Sequence, residues 1–314
     1  MPRGCPFTEL CRHAARLAQP VAADLHAHTR ASDGDATPEQ LVAYARAARL
    51  KSLAVTDHDT TAGIADAVAA SRGTGLEIVP GVEVSVEFRG REIHVLGLAI
   101  DLGSVELERT LAPVIAGRRQ RFREYVAAIP ELAPAREAGL DRLVEAGTAS
   151  PGRRHVATLL VQTGVAASRG EVFRRHLAAV AGRVAAKPLV PLRAAIDAIR
   201  GAGGVAVLAH PPPEFGECEL RELADAGLDG LETRFPSAGV GRRAELAALA
   251  QRFGLLESGG SDFHGLDGER KIGSHGLSAE GWRDLANRAN LRTAVSHRID
   301  TFAGSPCGGG TSAP

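Results

Sequence analysis

Short apolar runs alternate with helical patterns from Val21 onward, and this alternation constrains the fold more than any other feature of the chain. The runs VAADL, KSLAVTD, GGVAVLAHP and LDGLET are predicted to be strands, and each is followed by polar turn residues or by a segment with helical periodicity. Parallel strands need a crossover connection, usually a helix, so this order of elements is typical of a parallel sheet covered by helices. We therefore predict an α/β, barrel-like domain.

Two local signals support this reading. In ATPEQLVAYARAARL, Thr37 is placed to cap a helix, Pro38 suits its first position, and Gln40 completes a capping box. The β-rich runs LEIVPGVEVSVEF and REIHVLGLAI are separated by Arg89 and Gly90, which favours a hairpin turn between them.

The alternation stops between residues 101 and 191, where only Arg- and Ala-rich helical patterns remain, and then resumes. We expect an N-terminal extension at 1–20 and a barrel built from 21–100 and 192–300. Residues 101–191 would form an inserted helical lid. The tail at 304–314, GSPCGGGTSAP, has little to bury and is expected to be disordered.

Charge and cysteine usage exclude several classes of protein. Lys and Arg together number 37, as do Asp and Glu, so no global field directs the chain toward nucleic acid or an acidic membrane. The four cysteines form no CxxC pair and are too sparse for a disulfide framework. No apolar segment reads as a signal peptide or a membrane span, so we expect a cytoplasmic protein with reduced thiols.

Six of the eleven histidines lie at, or just beyond, apolar strand-like runs. The loops after the strands of a parallel barrel share one rim, so residues distant in sequence converge there. Side chains at i and i+2 of an extended segment point to the same face, which pairs the two histidines of DLHAHTRASDGD. The six are His26, His28, His58, His94, His210 and His264.

Carboxylates accompany these histidines at Asp57, Asp59, Glu83 and Asp262. A single histidine at a strand end is more often structural than a ligand, but burying so many titratable groups together without a cation would leave unpaired charge. Imidazole and carboxylate without cysteine favour manganese, iron or catalytic zinc. Many ligands shared among several ions suggest a multinuclear centre, whose usual task is phosphoester hydrolysis by a metal-bridging hydroxide.

The chain resembles a known family in six motifs that occur in order: DLHAHTRASDG, AVTDHDT, GVEVS, EIHVLGL, AHP and GSDFHG. They are similar to those of the PHP (polymerase and histidinol phosphatase) metal-dependent phosphoesterases, and most similar to the branch that acts on nucleotides and short RNA. The resemblance covers about Ala22 to Gly276. It implies a distorted (β/α)7 TIM-like barrel with two or three divalent ions on its C-terminal rim, manganese first, with zinc, iron or magnesium as alternatives.

The resemblance also implies nine metal ligands. The first ion would take His26, His28, Glu83 and Asp262, the second would share Glu83 and add His94 and His210, and a third would use Asp33, His58 and His264. Many family members have histidine where this chain has Asp33, which suggests a weaker or empty third site. In that case Asp33 would instead orient water or protonate the leaving oxygen. The residues expected to act in catalysis are Asp33, His58, Glu83 and His264.

Phosphate recognition needs cations beyond the metal ions. Arg153, His155 and Lys187 match the branch's lid motifs, and Arg91 beside the hairpin is a further candidate. For each of them a solvated helix face or a simple salt bridge is the alternative. The basic run at residues 118–123, RRQRFR, is expected to be the polar face of a surface helix rather than an RNA-binding track.

We therefore expect a phosphoesterase that acts on a small nucleotide, such as a 3',5'-nucleoside bisphosphate, or on the 5' end of short oligoribonucleotides. The alternatives are a histidinol-phosphate phosphatase and a non-catalytic PHP scaffold module. The expected partner is a small phosphorylated substrate or short RNA, with no membrane and no obligate protein partner.

Overall fold

The computed structural model describes residues 20–134, 148–266 and 270–289. Most of the expected N-terminal extension and the whole tail at 304–314 lie outside the described residues. Within the described part, eight strands form one sheet. They are β1 (Ala23–Asp24), β2 (Ser52–Val55), β3 (Glu77–Phe88), β4 (Arg91–Leu98), β5 (Val190–Pro191), β6 (Val205–Leu208), β7 (Gly230–Arg234) and β8 (Leu256–Gly259).

The sheet runs in the order β1-β2-β3-β4-β6-β7-β8, with β5 paired to β3. Its two ends approach each other, because Leu25 N donates to Gly259 O at 3.1 Å and a parallel bridge joins Ala27 to Phe263. The barrel-like α/β architecture is therefore confirmed.

One strand runs against the others. β4 is antiparallel to both β3 and β6, whereas β1, β2 and β3 pair in parallel, as do β6, β7 and β8. The reversal occurs at the predicted hairpin turn, where Arg89 and Gly90 have φ of 52° and 74°. This is the point at which the sheet differs from a regular series of parallel βα units.

Helices cover the sheet and form a separate layer beside it. The described α-helices are α1 (Pro38–Ala47), α2 (Ile64–Ser71), α3 (Val105–Ala128), α4 (Arg153–Gln162), α5 (Arg169–Val172), α6 (Ala178–Val180), α7 (Leu192–Gly201), α8 (Glu217–Asp225), α9 (Val240–Phe253) and α10 (Ala279–Arg288). A π-helical turn, Phe173–Leu177, joins α5 to α6, and 3-10 turns lie at Pro130–Leu132 and Ala181–Arg183. The predicted cap of α1 is confirmed: Thr37 Oγ1 accepts from Gln40 N at 3.2 Å, and Gln40 Oε1 accepts from Thr37 N at 2.9 Å.

The helices between β4 and β5 have a hydrophobic core of their own, apart from those of the barrel. It contains Phe122, Ile129, Leu132, Val156 and Leu160, each almost completely buried. Between residues 101 and 191 every described element except β5 is helical. We refer to α3 to α6 and their turns as the helical segment. Nowhere in the described ranges is a helix both long and apolar enough to cross a bilayer.

Candidate metal centre

The structure brings all nine predicted ligands together at one end of the barrel. Potential ligand atoms lie within 4.8 Å of one another in each of four overlapping groups. The groups are His28, Asp33, His58 and His264; His26, His28 and Asp262; His26, Glu83 and His210; and His58, Glu83 and His94.

Glu83 lies at the centre of these groups and is fully buried. Glu83 lies within β3, directly after Val82. Imidazole rings surround both oxygens of its carboxylate. Oε2 lies 3.2 Å from His26 Nε2, 3.2 Å from His28 Nε2 and 3.0 Å from His58 Nδ1; Oε1 lies 2.9 Å from His94 Nδ1 and 3.0 Å from His210 Nε2.

The position of His94 in its strand differs from the one we expected. It lies in the first half of β4, opposite Ser85 of β3, rather than at the end of a parallel strand. Because β4 is reversed, its amino-terminal half lies beside the carboxyl half of β3. The hairpin therefore places His94 beside Glu83.

The polar atoms at the rim fit a cation better than they fit one another. Nine buried side-chain atoms of the described residues lack a well-formed hydrogen bond, although most buried polar atoms in proteins have one, and four of the nine belong to the candidate ligands. His26 Nε2 and His28 Nε2 also face each other at 3.1 Å. Mixed nitrogen and oxygen donors suit manganese, iron or zinc, so these residues fit the divalent ions that the sequence implies. The four atoms are His28 Nδ1, Asp33 Oδ1, His58 Nδ1 and Glu83 Oε2.

The clustered groups shift one another's protonation. Burial would raise the pKa of Glu83, but His58 and His26 outweigh it and hold that pKa well below its usual value. Burial would lower the pKa of His28, yet the carboxylates of Asp262 and Glu83 raise it to about 9. Metal ligands bind in their deprotonated forms, so a divalent ion at this cluster would displace a proton held by His28.

The loop after β1 is held by side chains that do not face the cluster. Asp57 accepts from Thr29 N at 2.8 Å, Thr29 Oγ1 at 2.6 Å and Ser32 Oγ at 2.6 Å, so it anchors this loop. Gly34 packs so closely that a Cβ there would lie 2.5 Å from His28 O. The close approach, more than an unusual φ, explains why glycine follows Asp33.

Asp24 and Asp35 both join segments of the site. Asp24 accepts from Ser261 N at 2.9 Å and from Gly273 N at 2.8 Å, and burial raises its pKa to about 6. Asp35 receives both guanidinium nitrogens of Arg169, at 2.7 and 2.8 Å. That bidentate pair joins the loop after β1 to the helical segment.

Two candidate ligands have unusual backbone conformations. His210 and Asp262 adopt φ of 27° and 49°, in the left-handed region that non-glycine residues rarely occupy. Such conformations cost of the order of 1–3 kcal/mol each and persist where the surroundings enforce them, often at functional sites.

Glu232 was not identified from the sequence, although it is fully buried behind the cluster in β7. Its carboxylate lies 3.2 and 3.3 Å from His26 Nδ1 and accepts from His210 N at 2.7 Å. A carboxylate behind a metal-binding histidine fixes its tautomer and its ring orientation. The available signal was its place near the end of the strand-like run LDGLET.

The predicted substrate contacts separate into two groups. Arg153 and Lys187 line a cavity of about 750 Å³ that also exposes Asp33, His58 and His264. Arg91 instead pairs with Glu214 and is not among the residues that line this cavity.

His155 accepts a hydrogen bond from the protein backbone, and Lys187 forms an ion pair with a glutamate. His155 Nδ1 accepts from Gly152 N at 3.0 Å at the start of α4, so this ring caps the helix. Lys187 Nζ lies 2.6 Å from Glu92 Oε1, and the same oxygen lies 3.0 Å from His94 Nε2. Lys187 is therefore linked to the metal centre through Glu92.

The expectation of a solvated face is wrong for Arg118. Its side chain is only 8% exposed, and its Nε donates to Asp59 Oδ2 at 2.6 Å. Asp59 also accepts from Ser85 N at 2.7 Å and Ser85 Oγ at 2.9 Å, so it holds α3 against β3 instead of facing the ligand groups. Arg119 and Arg123 of the same run are exposed, as expected.

Comparisons with known proteins agree with this geometry. The PHP domain family model matches residues 24–161. The chain is 38% identical to the 5'-3' exoribonuclease Rnm of Escherichia coli over 253 residues, which are 78% of this chain and 85% of that protein. It is 35% identical to the 3',5'-nucleoside bisphosphate phosphatase of Chromobacterium violaceum over 259 residues, 80% and 90% of the two chains. A crystal structure of a proposed metal-dependent phosphoesterase from Bifidobacterium adolescentis superposes with a TM-score of 0.76 at 31% identity, covering 86% of this chain and 98% of that one.

Proposed function

This chain belongs to the PHP domain family, and we propose on that premise that it is a phosphoesterase for a 3',5'-nucleoside bisphosphate or for the 5' end of short oligoribonucleotides. The observation that carries the proposal is the gathering of nine donors, four of them with unsatisfied atoms, beside one large cavity.

The charge of the cavity supports a substrate with more than one phosphate. Six cationic side chains and two carboxylates, Asp33 and Glu92, line it among the residues that the structure describes there; of the six, Arg118 is paired with Asp59 and Lys187 with Glu92. Cations in a concave site attract and hold anionic ligands, and arginine suits phosphate contacts in particular. The six are Arg118, Arg121, Arg153, Arg154, Lys187 and Arg270.

The nine donors would hold two or three divalent ions, which we propose are manganese. When bound, such ions lower the pKa of water and neutralise charge on phosphoryl oxygens. The chain itself would position the substrate with Arg153 and Lys187. If only two ions bind, Asp33 and His264, which lie 3.3 Å apart at the cavity wall, could together exchange a proton with the leaving oxygen.

We further propose that residues 101–191 act as a lid whose helical segment supplies the second wall of the cavity. Phe122, Tyr125 and Arg153 of this segment line the cavity together with Asp33, His58 and His264. We also propose a cytoplasmic location, as expected from cysteine usage. Cys218, within the described residues, is a free and exposed thiol, which agrees with that proposal.

A substrate panel tests the proposal. The purified protein, stripped with a chelator and reloaded with manganese, magnesium or zinc, would be assayed on adenosine 3',5'-bisphosphate, a 5'-phosphorylated trinucleotide and histidinol phosphate. We expect the highest kcat/KM on one of the two nucleotide substrates with manganese. Glu83→Ala should abolish hydrolysis, whereas Glu87→Ala, which changes an exposed glutamate of the same strand, should not.

Two outcomes would favour the alternatives. A preference for histidinol phosphate would identify a histidinol-phosphate phosphatase. Hydrolysis at background despite bound manganese would indicate a non-catalytic scaffold module. The complete donor set argues against the second outcome, because a degenerate module would be expected to have lost ligands.

A further inference from the structure

Phe173 is an apolar side chain exposed at the mouth of the cavity. Four large apolar side chains are exposed in the described part of the chain: Val105, Phe173, Val240 and Leu266. Of these, Phe173 alone lines the cavity that also exposes Asp33, His58 and His264. Its 36% exposure therefore occurs next to the candidate metal centre.

The local helix geometry explains why this ring is exposed. Phe173 begins the π-helical turn that joins α5 to α6. Val172 and Leu177, five positions apart, both point into the core of the helical segment, and Phe173 is not part of that core. A π turn accommodates this five-residue spacing and is frequently found at functional sites. The ring is thus directed out of the core by a local irregularity of the helix.

Arg153 is placed over this ring. Its guanidinium carbon lies 5.8 Å from the centre of the Phe173 ring, and Arg153 lines the same cavity from the first position of α4. This distance is within the range of a cation–π contact. Phe173 and Arg153 together form a surface with an aromatic face and a planar cation, the two kinds of group on which nucleic acid bases stack.

We propose that Phe173, with Arg153, is the stacking platform for a base of the substrate; this inference rests on the proposed nucleotide or RNA substrate. The described residues that line the cavity include no Asn or Gln, whose amides commonly read the edges of bases. Recognition by stacking tolerates every base, because each base has a π face. The platform therefore selects nucleotides over base-free phosphate esters without selecting among bases.

The test compares two substrates that differ only in the base. In Phe173→Ala, kcat/KM for adenosine 3',5'-bisphosphate should fall roughly 5- to 100-fold, the usual effect of removing one stacking side chain. Activity on ribose 3,5-bisphosphate, which has no base, should stay near the wild-type value. Phe173→Trp should restore the nucleotide rate. The guanine, cytosine and uracil nucleotides should lose activity to a similar extent.

Val240→Ala is the matched control, since Val240 is 71% exposed and lies outside the cavity lining. A second readout is the fluorescence of 2-aminopurine nucleotide, which stacking quenches. Quenching should occur in wild type and in Phe173→Trp and be lost in Phe173→Ala.

The outcomes separate this inference from the proposed function. If wild type hydrolyses neither bisphosphate and also fails to hydrolyse the 5'-phosphorylated trinucleotide, the proposed function fails. If wild type is active but Phe173→Ala leaves both rates unchanged, or lowers both equally, the platform is refuted and the proposed function stands.

Discussion

Replacing Glu232 tests whether a residue that does not face the cavity controls the metal centre. Its carboxylate accepts from two donors at once, His26 Nδ1 and His210 N. Glu232→Leu removes both acceptors and leaves two buried donors unsatisfied. Loss of a carboxylate behind a ligating histidine typically weakens metal binding by about 10- to 100-fold, equivalent to roughly 1.4–2.8 kcal/mol.

Glu232→Gln should give an intermediate loss. A glutamine has one side-chain oxygen, so it can accept from His26 or from His210, and its amide then faces the other donor. We therefore expect a loss of about tenfold, near the lower limit of that range.

The assay is calorimetric titration of manganese into chelator-treated protein, with urea unfolding to show that each variant is folded. Glu257→Gln serves as the control, because Glu257 lies on the neighbouring strand β8 and contacts Thr233 instead of a ligand group. Wild-type manganese affinity in folded Glu232→Leu would refute the argument that this carboxylate positions His26.

Three further predictions follow from the contacts. Glu83→Ala removes the carboxylate that five imidazoles surround, so mass spectrometry of the purified protein should find little bound manganese. Full retention of manganese would contradict the inference that Glu83 is a central metal ligand. Arg118→Ala leaves Asp59 with only its contacts to Ser85 and should lower the free energy of unfolding in urea by about 3 kcal/mol, with the exposed Arg119→Ala as a near-neutral control. Burial lowers the pKa of His155, so the unfolded chain binds a proton more readily and the stability should fall as the pH drops below about 6.5. His155→Gln keeps a cap for Gly152 N and should flatten this part of the stability–pH curve; an unchanged curve would show that His155 does not contribute.

Four of the nine candidate ligands lie in pairs with a local signature, and the full set followed only from the resemblance to the PHP family. The spacing His26-x-His28 and Asp262-x-His264 places two donors on one face of an extended segment, and that property needs no knowledge of distant contacts. The barrel-like fold could be predicted for a similar reason, because strand and helix periodicities are local.

Residues whose role depends on a distant partner were harder to identify. Glu232 is a single acid in a short strand, and its position behind His26, 206 residues away, follows only from the closed sheet. The burial of Arg118 could have been predicted from its spacing, but its position in a basic run favoured a solvent-exposed face. It lies four residues after Val114 and four before Phe122, and both of these are buried on the same face of α3. Helical periodicity therefore placed it toward the barrel, where Asp59 compensates its charge.

The seam between the first and last strands determines when the protein can become active during its synthesis. Asp262 N donates to His26 O at 2.9 Å, and the two residues share a ligand group. A nascent chain on the ribosome cannot complete this group until Asp262 has emerged and β8 has docked beside β1. Incomplete translation products that end before this point therefore lack a complete set of candidate ligands.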